Sequence, residues 1–271
     1  MTEIKDLFSD LLPPFPSYSK SFAFSVHKAG SSLMVSLLRN YCQRIKFPVV
    51  NIPEALFDQG ILEQNWHTLT GLSELLVDGY LYLGFRSLPT FLTPNAEISN
   101  IDPRQYRACL LVRDPRDCLV SQYFSMGRQQ ASSHAIPKMN PEAFLKALRS
   151  QGNQDIDSYV VTYSQVLFNK LQAYLSIVDS NPNIRIFKYE DIYFDKYKFL
   201  LDMLEWLGIP INNKLARKVS EIHDIRPAAE DVSSHIRKGE PGDHREKLLP
   251  QTVTTVSDHF RDLMENYGYA L

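Results

Sequence analysis

A chain of 271 residues, 44% apolar and 11% aromatic, can bury a substantial core, and its length suits one domain spanning 1–271 better than two. With 29 lysines and arginines against 31 acidic residues the net charge is −2, which excludes a general nucleic-acid binder and requires any positive charge to act locally. Cys42, Cys109 and Cys118 fit neither a disulfide framework nor a metal-ligand spacing, residues 1–6 lack the apolar core of a secretory signal, and no apolar run approaches a membrane span; a cytoplasmic protein with no metal is expected.

Residues 1–20 read as a lead-in, with a short Leu12-Pro-Pro-Phe-Pro16 segment. The apolar run Phe22 to Val26 predicts a buried strand, and Ser31 through Arg44, with Leu33, Leu37, Leu38 and Tyr41 at helical spacing, predicts a helix with one buried face. Between them stands Lys28-Ala-Gly-Ser-Ser32, where Gly30 permits a sharp turn and the helix start offers free amides to an anion. Further strands are expected at Tyr80 to Phe85, Ala108 to Val112 and Ile184 to Phe187. Helices are expected at Asp117 to Met126, Pro141 to Ser150, Asp157 to Asp179, Asp195 to Leu207, Lys214 to His223 and Pro250 to Tyr267. This alternation predicts an α/β fold with a central parallel sheet flanked by helices, and in such sheets ligands gather beyond the carboxyl ends of the strands.

Two of those strand ends, and one late loop, carry local positive charge. The order of the first turn is wrong for a nucleoside triphosphatase, whose loop places its lysine after the last glycine and another glycine five residues earlier; here Lys28 precedes Gly30 and position 25 is serine. After the third run comes Arg113-Asp-Pro-Arg-Asp, with Ser121 about two helical turns further on, so that arginine and hydroxyl can share one anion. Pairing of Arg113 with Asp114 or Asp117 is the simpler structural alternative. Arg237-Lys238-Gly239, followed by Gly242 and Asp243, reads as a loop that wraps a ligand: a planar fork, a point charge and close backbone approach.

Taken in this order, the three segments resemble the sulfotransferase family that uses 3′-phosphoadenosine 5′-phosphosulfate (PAPS). Lys28-Ala-Gly-Ser-Ser-Leu33 resembles its 5′-phosphosulfate loop, Arg113 through Ser121 its 3′-phosphate motif, and Arg237-Lys-Gly-x-x-Gly-Asp243 its C-terminal motif. Tyr189-Glu-Asp191 is similar to a further segment whose tyrosine reaches the adenine side of the donor. The resemblance implies a three-layer fold like that of P-loop nucleoside triphosphatases and a sulfuryl transfer to a hydroxyl, or less readily an amine, of a small-molecule, lipid or glycan acceptor. It further implies that Lys28 sits at the bond being broken, that Ala29, Gly30, Ser31, Ser32 and Leu33 hold the 5′-phosphate, and that Arg113, Ser121, Arg237, Lys238 and Gly239 hold the 3′-phosphate of donor and product (PAP). A homologue that binds PAP without catalysis and, further off, a nucleotide kinase are the competing readings.

The acceptor half departs from the pattern. Ser87, in Phe85-Arg-Ser-Leu-Pro89, stands where the cytosolic branch of the family has its proton-accepting histidine. Glu54, placed like the glutamate of glycosaminoglycan-modifying relatives, is the first candidate base, ahead of Asp58, His67 and His134; Glu54 also fits plain first-turn helix chemistry. Leu33 and His244 replace tryptophans of the family pattern, and residues 127–140 lack a periodic apolar face and are read as a candidate lid or a surface loop.

Overall fold

The computed structural model describes residues 7–8, 11–69, 71–89, 92, 102–127, 136–150, 154–179, 181–234 and 236–270. In chain order, β1 (Ser21–Ser25) leads through α1 (Ser31–Arg44) to β2 (Val49–Val50) and α2 (Ile52–Asp58), followed by β3 (Leu81–Phe85) and β4 (Ala108–Val112). Then come α3 (Pro115–Gln122), α4 (Pro141–Ser150), α5 (Ile156–Val178), β5 (Ile184–Lys188), α6 (Tyr189–Phe194), α7 (Lys196–Leu207), α8 (Asn213–Ile222), α9 (His244–Lys247) and α10 (Pro250–Asn266). The strands form one five-stranded sheet in the order β2-β3-β1-β4-β5, parallel at every pairing.

A parallel sheet needs long crossovers, and these lay helices on both of its faces. Period-two alternation then sorts the side chains. Phe22, Phe24, Tyr82, Leu110 and Val112 pack with Leu167 and Leu171 of α5 and Phe260 and Leu263 of α10. Ala23, Leu81, Leu83, Cys109 and Leu111 pack on the other side with Leu37 and Leu38 of α1, Leu200 and Leu204 of α7 and Val219 of α8. The result is the expected three-layer α/β architecture. Among the described residues no helix is long and apolar enough to cross a membrane.

Three differences from the sequence reading have local causes. The edge strand β2 went unread because it is only two residues long, and it pairs with β3 alone. α3 begins at Pro115 rather than Asp117, because the Asp114 side chain caps it by accepting the Arg116 N–H, and it ends at Gln122, where a π-helical turn, Tyr123–Gly127, takes over. α6 starts directly at the end of β5, and Asp195 closes it while capping α7.

Side-chain caps separate five helix starts from that of α1, which, like those of α6, α9 and α10, has none. Side chains of Asn51, Asp114, Asp155, Asp195 and Asn212 cap α2, α3, α5, α7 and α8, whereas α1 has no side-chain cap at Gly30. Its positive end is left for something else. Because Leu110 is fully buried in the sheet interior, Leu110→Ala is expected to lower unfolding stability by about 2–5 kcal/mol, measured by urea denaturation, the loss combining transfer and cavity terms.

Candidate active site

The turn from β1 to α1 is built from left-handed backbone. Lys28 has φ +66° and Gly30 φ +87°, the Ala29 N–H closes the turn onto the Val26 carbonyl at 3.3 Å, and the Met34 N–H donates to the Gly30 carbonyl at 3.0 Å. For lysine this conformation is strained, a condition that persists where surrounding structure enforces it and that clusters at functional sites. The first amides of α1 therefore point past the turn, beyond the carboxyl end of the sheet. Ala29 and Ser31 are buried, and Ser32 and Leu33 are half-buried beside them. Burial, with the charges of Arg86, Arg113 and Arg237 nearby, lowers the Lys28 pKa to about 8.

Tyr189, the first residue of α6, packs against this turn. A β-carbon on Gly30 would lie 2.4 Å from Tyr189 Cδ2, so only glycine fits between ring and helix start. The same ring carries the Arg113 guanidinium 4.4 Å from its centroid, and its hydroxyl donates to the Gly239 carbonyl at 2.6 Å. One side chain thus joins the three segments that sequence singled out separately.

Asp117 makes the second connection. Its carboxylate is buried and accepts from the Gly242 N–H (2.6 Å), the His244 N–H (3.0 Å), His244 Nδ1 (2.7 Å) and Arg113 Nη2 (3.4 Å). Burial works to raise its pKa, but the His244 side chain, the Arg113 charge and the two amides outweigh it and hold the group well below the usual carboxylate range. Arg113 therefore pairs with Asp117, as the simpler structural alternative had it, and also donates from Nη2 to the Glu240 carbonyl at 3.3 Å. Its Nε remains buried with no hydrogen-bond partner. Ser121 lies half-buried further along α3.

The C-terminal loop is already tied by charge. Arg237 bonds Glu230 and Asp243 and lies 4.1 Å over the Phe124 ring, while Lys238 reaches Asp243 at 3.4 Å and Glu246 at 2.8 Å. Gly239 takes a left-handed φ of +76°. What reads in sequence as a loop with little to pack contains the short α9, whose first residue, His244, is buried.

Around the acceptor side, Glu54 is exposed at the start of α2 and gives both carboxylate oxygens to Arg39. Asp58 pairs with Lys138 and its carbonyl accepts the Met139 N–H at 2.9 Å, so the end of the 127–140 segment docks on α2. His67 is exposed. Residues 128–135, including His134, lie outside the described residues, as does most of the candidate lid.

Several contributors were missed. For Asp117 the sequence suggests pairing with Arg113, four residues away, but not its bonds to Gly242 and His244. Glu190 accepts the Asp114 N–H at 3.2 Å and the Tyr269 hydroxyl at 3.0 Å, fastening the α3 start to the first turn of α6, and no sequence pattern announces that contact.

A sulfotransferase-domain family model matches residues 20–268, and the chain belongs to that family. Among solved structures, mouse sulfotransferase SULT7A1 complexed with PAP is similar at 14% identity and TM-score 0.58, covering 97% of this chain and 89% of that one. Retinol dehydratase in a complex with retinol and PAP is similar at 13% identity and TM-score 0.51, covering 96% and 84%. These likenesses support the fold. No curated protein matches by sequence.

Gly30→Ala is expected to push the Tyr189 ring off the turn and to weaken nucleotide binding by about tenfold or more, with a fall of a few degrees in Tm; calorimetric titration and thermal melting read the two effects.

Proposed function

We propose that this sulfotransferase takes its sulfuryl group from PAPS and delivers it to a hydroxyl, less readily an amine, of a small-molecule, lipid or glycan acceptor in the cytoplasm. The observation that carries the reading is the convergence of Lys28, Arg113 and the Arg237 loop around Tyr189, which brings anion-binding groups of two different loops and an uncapped helix start to one place. Such a place fits a ligand with two separate phosphates. The unpartnered buried Nε of Arg113 and the free amides of α1 are the vacant valences such a ligand would fill. Similar structures contain PAP, and one also contains retinol, which supports a nucleotide bound alongside a separate acceptor.

On this reading Lys28 and the amides and hydroxyls of Gly30 to Leu33 hold the 5′-phosphate, with the lysine ammonium set against charge that develops on the bridging oxygen. Arg113, Ser121, Arg237, Lys238 and Gly239 hold the 3′-phosphate, and the Tyr189 ring stands between the two grips. Arg237 and Lys238 must share or give up Glu230, Asp243 and Glu246 when a phosphate arrives. A dianion can win that exchange because it brings more charge than one carboxylate. Binding energy gathered at the remote phosphate then holds the sulfuryl group in line with the acceptor, the step in which positioning and charge do most of the work. Both oxygens of Glu54 face Arg39, so proton removal by Glu54 would require that pair to open.

Arg113→Ala is expected to lower affinity for PAP by about 100-fold while changing affinity for the nucleotide lacking the 3′-phosphate by less than about threefold, in line with loss of a charge-assisted bond. Calorimetry with both nucleotides checks it; equal losses for the two would overturn the assignment.

Lys28 gives a pH signature. With a free pKa of about 8, the lysine is charged below that pH and loses its charge above it, and a bound phosphate raises the pKa again. PAP binding is therefore expected to take up about half a proton at pH 8, more at pH 9 and almost none near pH 6.5. Calorimetry in buffers of different ionisation enthalpy reads the uptake, and Lys28→Met is expected to remove it.

A further inference from the structure

Three buried polar atoms near the carboxyl end of β3 have no hydrogen-bond partner: Glu63 Oε1, Trp66 Nε1 and Ser87 Oγ. None belongs to the donor grip. Glu63 and Trp66 are three residues apart on the 3-10 turn Glu63–Thr68, a spacing that stacks their side chains on one face. The Trp66 ring meets Phe85, the last residue of β3, edge-on at 6.3 Å between centroids, and Ser87 follows Phe85 by two residues.

Other contacts tie this cluster to the donor loop. The second oxygen of Glu63 accepts from Lys170 Nζ at 3.3 Å, and Lys170 Nζ lies 3.0 Å from Nδ1 of His27, the residue before Lys28. One turn along α5 from Lys170, the Tyr174 hydroxyl donates to the Phe85 carbonyl. Lys170 therefore orients the Glu63 carboxylate beside the turn that holds Lys28, with one oxygen left over. Glu54, by contrast, has neither oxygen unpaired.

Buried polar groups are rarely left without partners, so three together mark a place where a polar ligand completes them. The set is one acceptor, Glu63 Oε1, and two donors, the Trp66 N–H and the Ser87 hydroxyl. An apolar mono-alcohol whose hydroxyl donates to the carboxylate and keeps one lone pair for the sulfur has a single lone pair left for two donors, so one of them goes unmatched. We propose that Glu63, Trp66 and Ser87 line the acceptor pocket, and that the acceptor is a vicinal diol: the reacting hydroxyl donates to Glu63 Oε1, and the neighbouring oxygen accepts from Trp66 and Ser87. The proposal rests on the sulfuryl-transfer reading above. In the transfer, the reacting oxygen bonds to sulfur, the bond from sulfur to the 5′-phosphate oxygen breaks with its electron pair remaining on that oxygen, and the hydroxyl proton passes to Glu63. Glu63 is the catalytic residue of this step and Lys170 a positioning residue.

The chain has two tryptophans, and the other, Trp206, donates its Nε1–H to the Ala108 carbonyl at 2.7 Å, at the amino end of β4 and away from the pocket. In a Trp206→Phe protein the emission of Trp66 alone reports the pocket. Titration with cis-1,2-cyclohexanediol and with cyclohexanol, each with and without PAP, is expected to give a saturable change with a midpoint at least about tenfold lower for the diol. Glu63→Gln and Ser87→Ala are expected to bring the diol midpoint to that of cyclohexanol while PAP affinity stays within about twofold, and Glu63→Gln to lower kcat for transfer to the diol by about 100-fold or more. Equal midpoints for diol and mono-alcohol, or undiminished turnover in Glu63→Gln, would overturn the proposal, as would wild-type kinetics in all the pocket variants, which would mean that ordered water alone satisfies the three atoms. Failure of the parent protein to bind PAP would instead sink the donor assignment, with the titrations made without PAP still deciding the pocket.

Discussion

The buried carboxylate of Asp117 is the constraint on which the donor half of the site depends. A charge removed from water is costly unless hydrogen bonds and an opposite charge replace its hydration, and Asp117 receives two backbone amides, an imidazole nitrogen and a guanidinium. Three of those four donors come from Gly242 and His244, so satisfying the charge also fixes where the C-terminal loop lies. Tyr189 completes the arrangement from the opposite side, touching Gly30, Arg113 and Gly239. The loop is thus held from two directions by groups that do not themselves offer a cation to a ligand.

What these anchors hold together is electrostatically unfavourable in the free protein. Burial and the charges of Arg86, Arg113 and Arg237 destabilise the ammonium form of Lys28, and the lowered pKa is the measure of that cost. An anion placed among the groups relieves it. The site is therefore destabilised in advance of binding, and its strain, including the left-handed φ of Lys28, is concentrated where the ligand would lie. The surrounding core, two apolar layers on one continuous sheet, supplies the stability that such a turn lacks.

Legibility in the sequence followed the range of the interactions. The strands β1, β3, β4 and β5 and the long helices were readable because hydrophobic periodicity is local, and the Lys28, Arg113 and Arg237 segments because each is a short string with a chemical purpose. Asp117 was visible only as a neighbour of Arg113, since its principal partner His244 lies 127 residues away. The same distance concealed α9: a histidine among glycines and charges reads as loop until a buried carboxylate is known to be waiting for it. Tyr189 could be matched to a motif, yet its contact with Gly30 is a property of packing. Glu63 lies in a stretch without apolar periodicity, in a 3-10 turn too short to leave a pattern, and nothing in the string distinguishes it from Glu54.

The two halves of the site prepare their polar groups in opposite ways, and the chemistry of their ligands explains why. Arg237 and Lys238 are already paired with Glu230, Asp243 and Glu246, which keeps the cations desolvated and aimed without leaving them uncompensated. A phosphate can compete for them because it carries more charge than any one of those carboxylates. A neutral hydroxyl has no such leverage. If Glu63 were bonded through both oxygens, as Glu54 is to Arg39, an acceptor alcohol could not displace the cation and no lone pair would be open to its proton. An acceptor pocket for an uncharged ligand must instead keep its polar atoms vacant, protected from competing partners by burial, and Glu63, Trp66 and Ser87 meet that requirement.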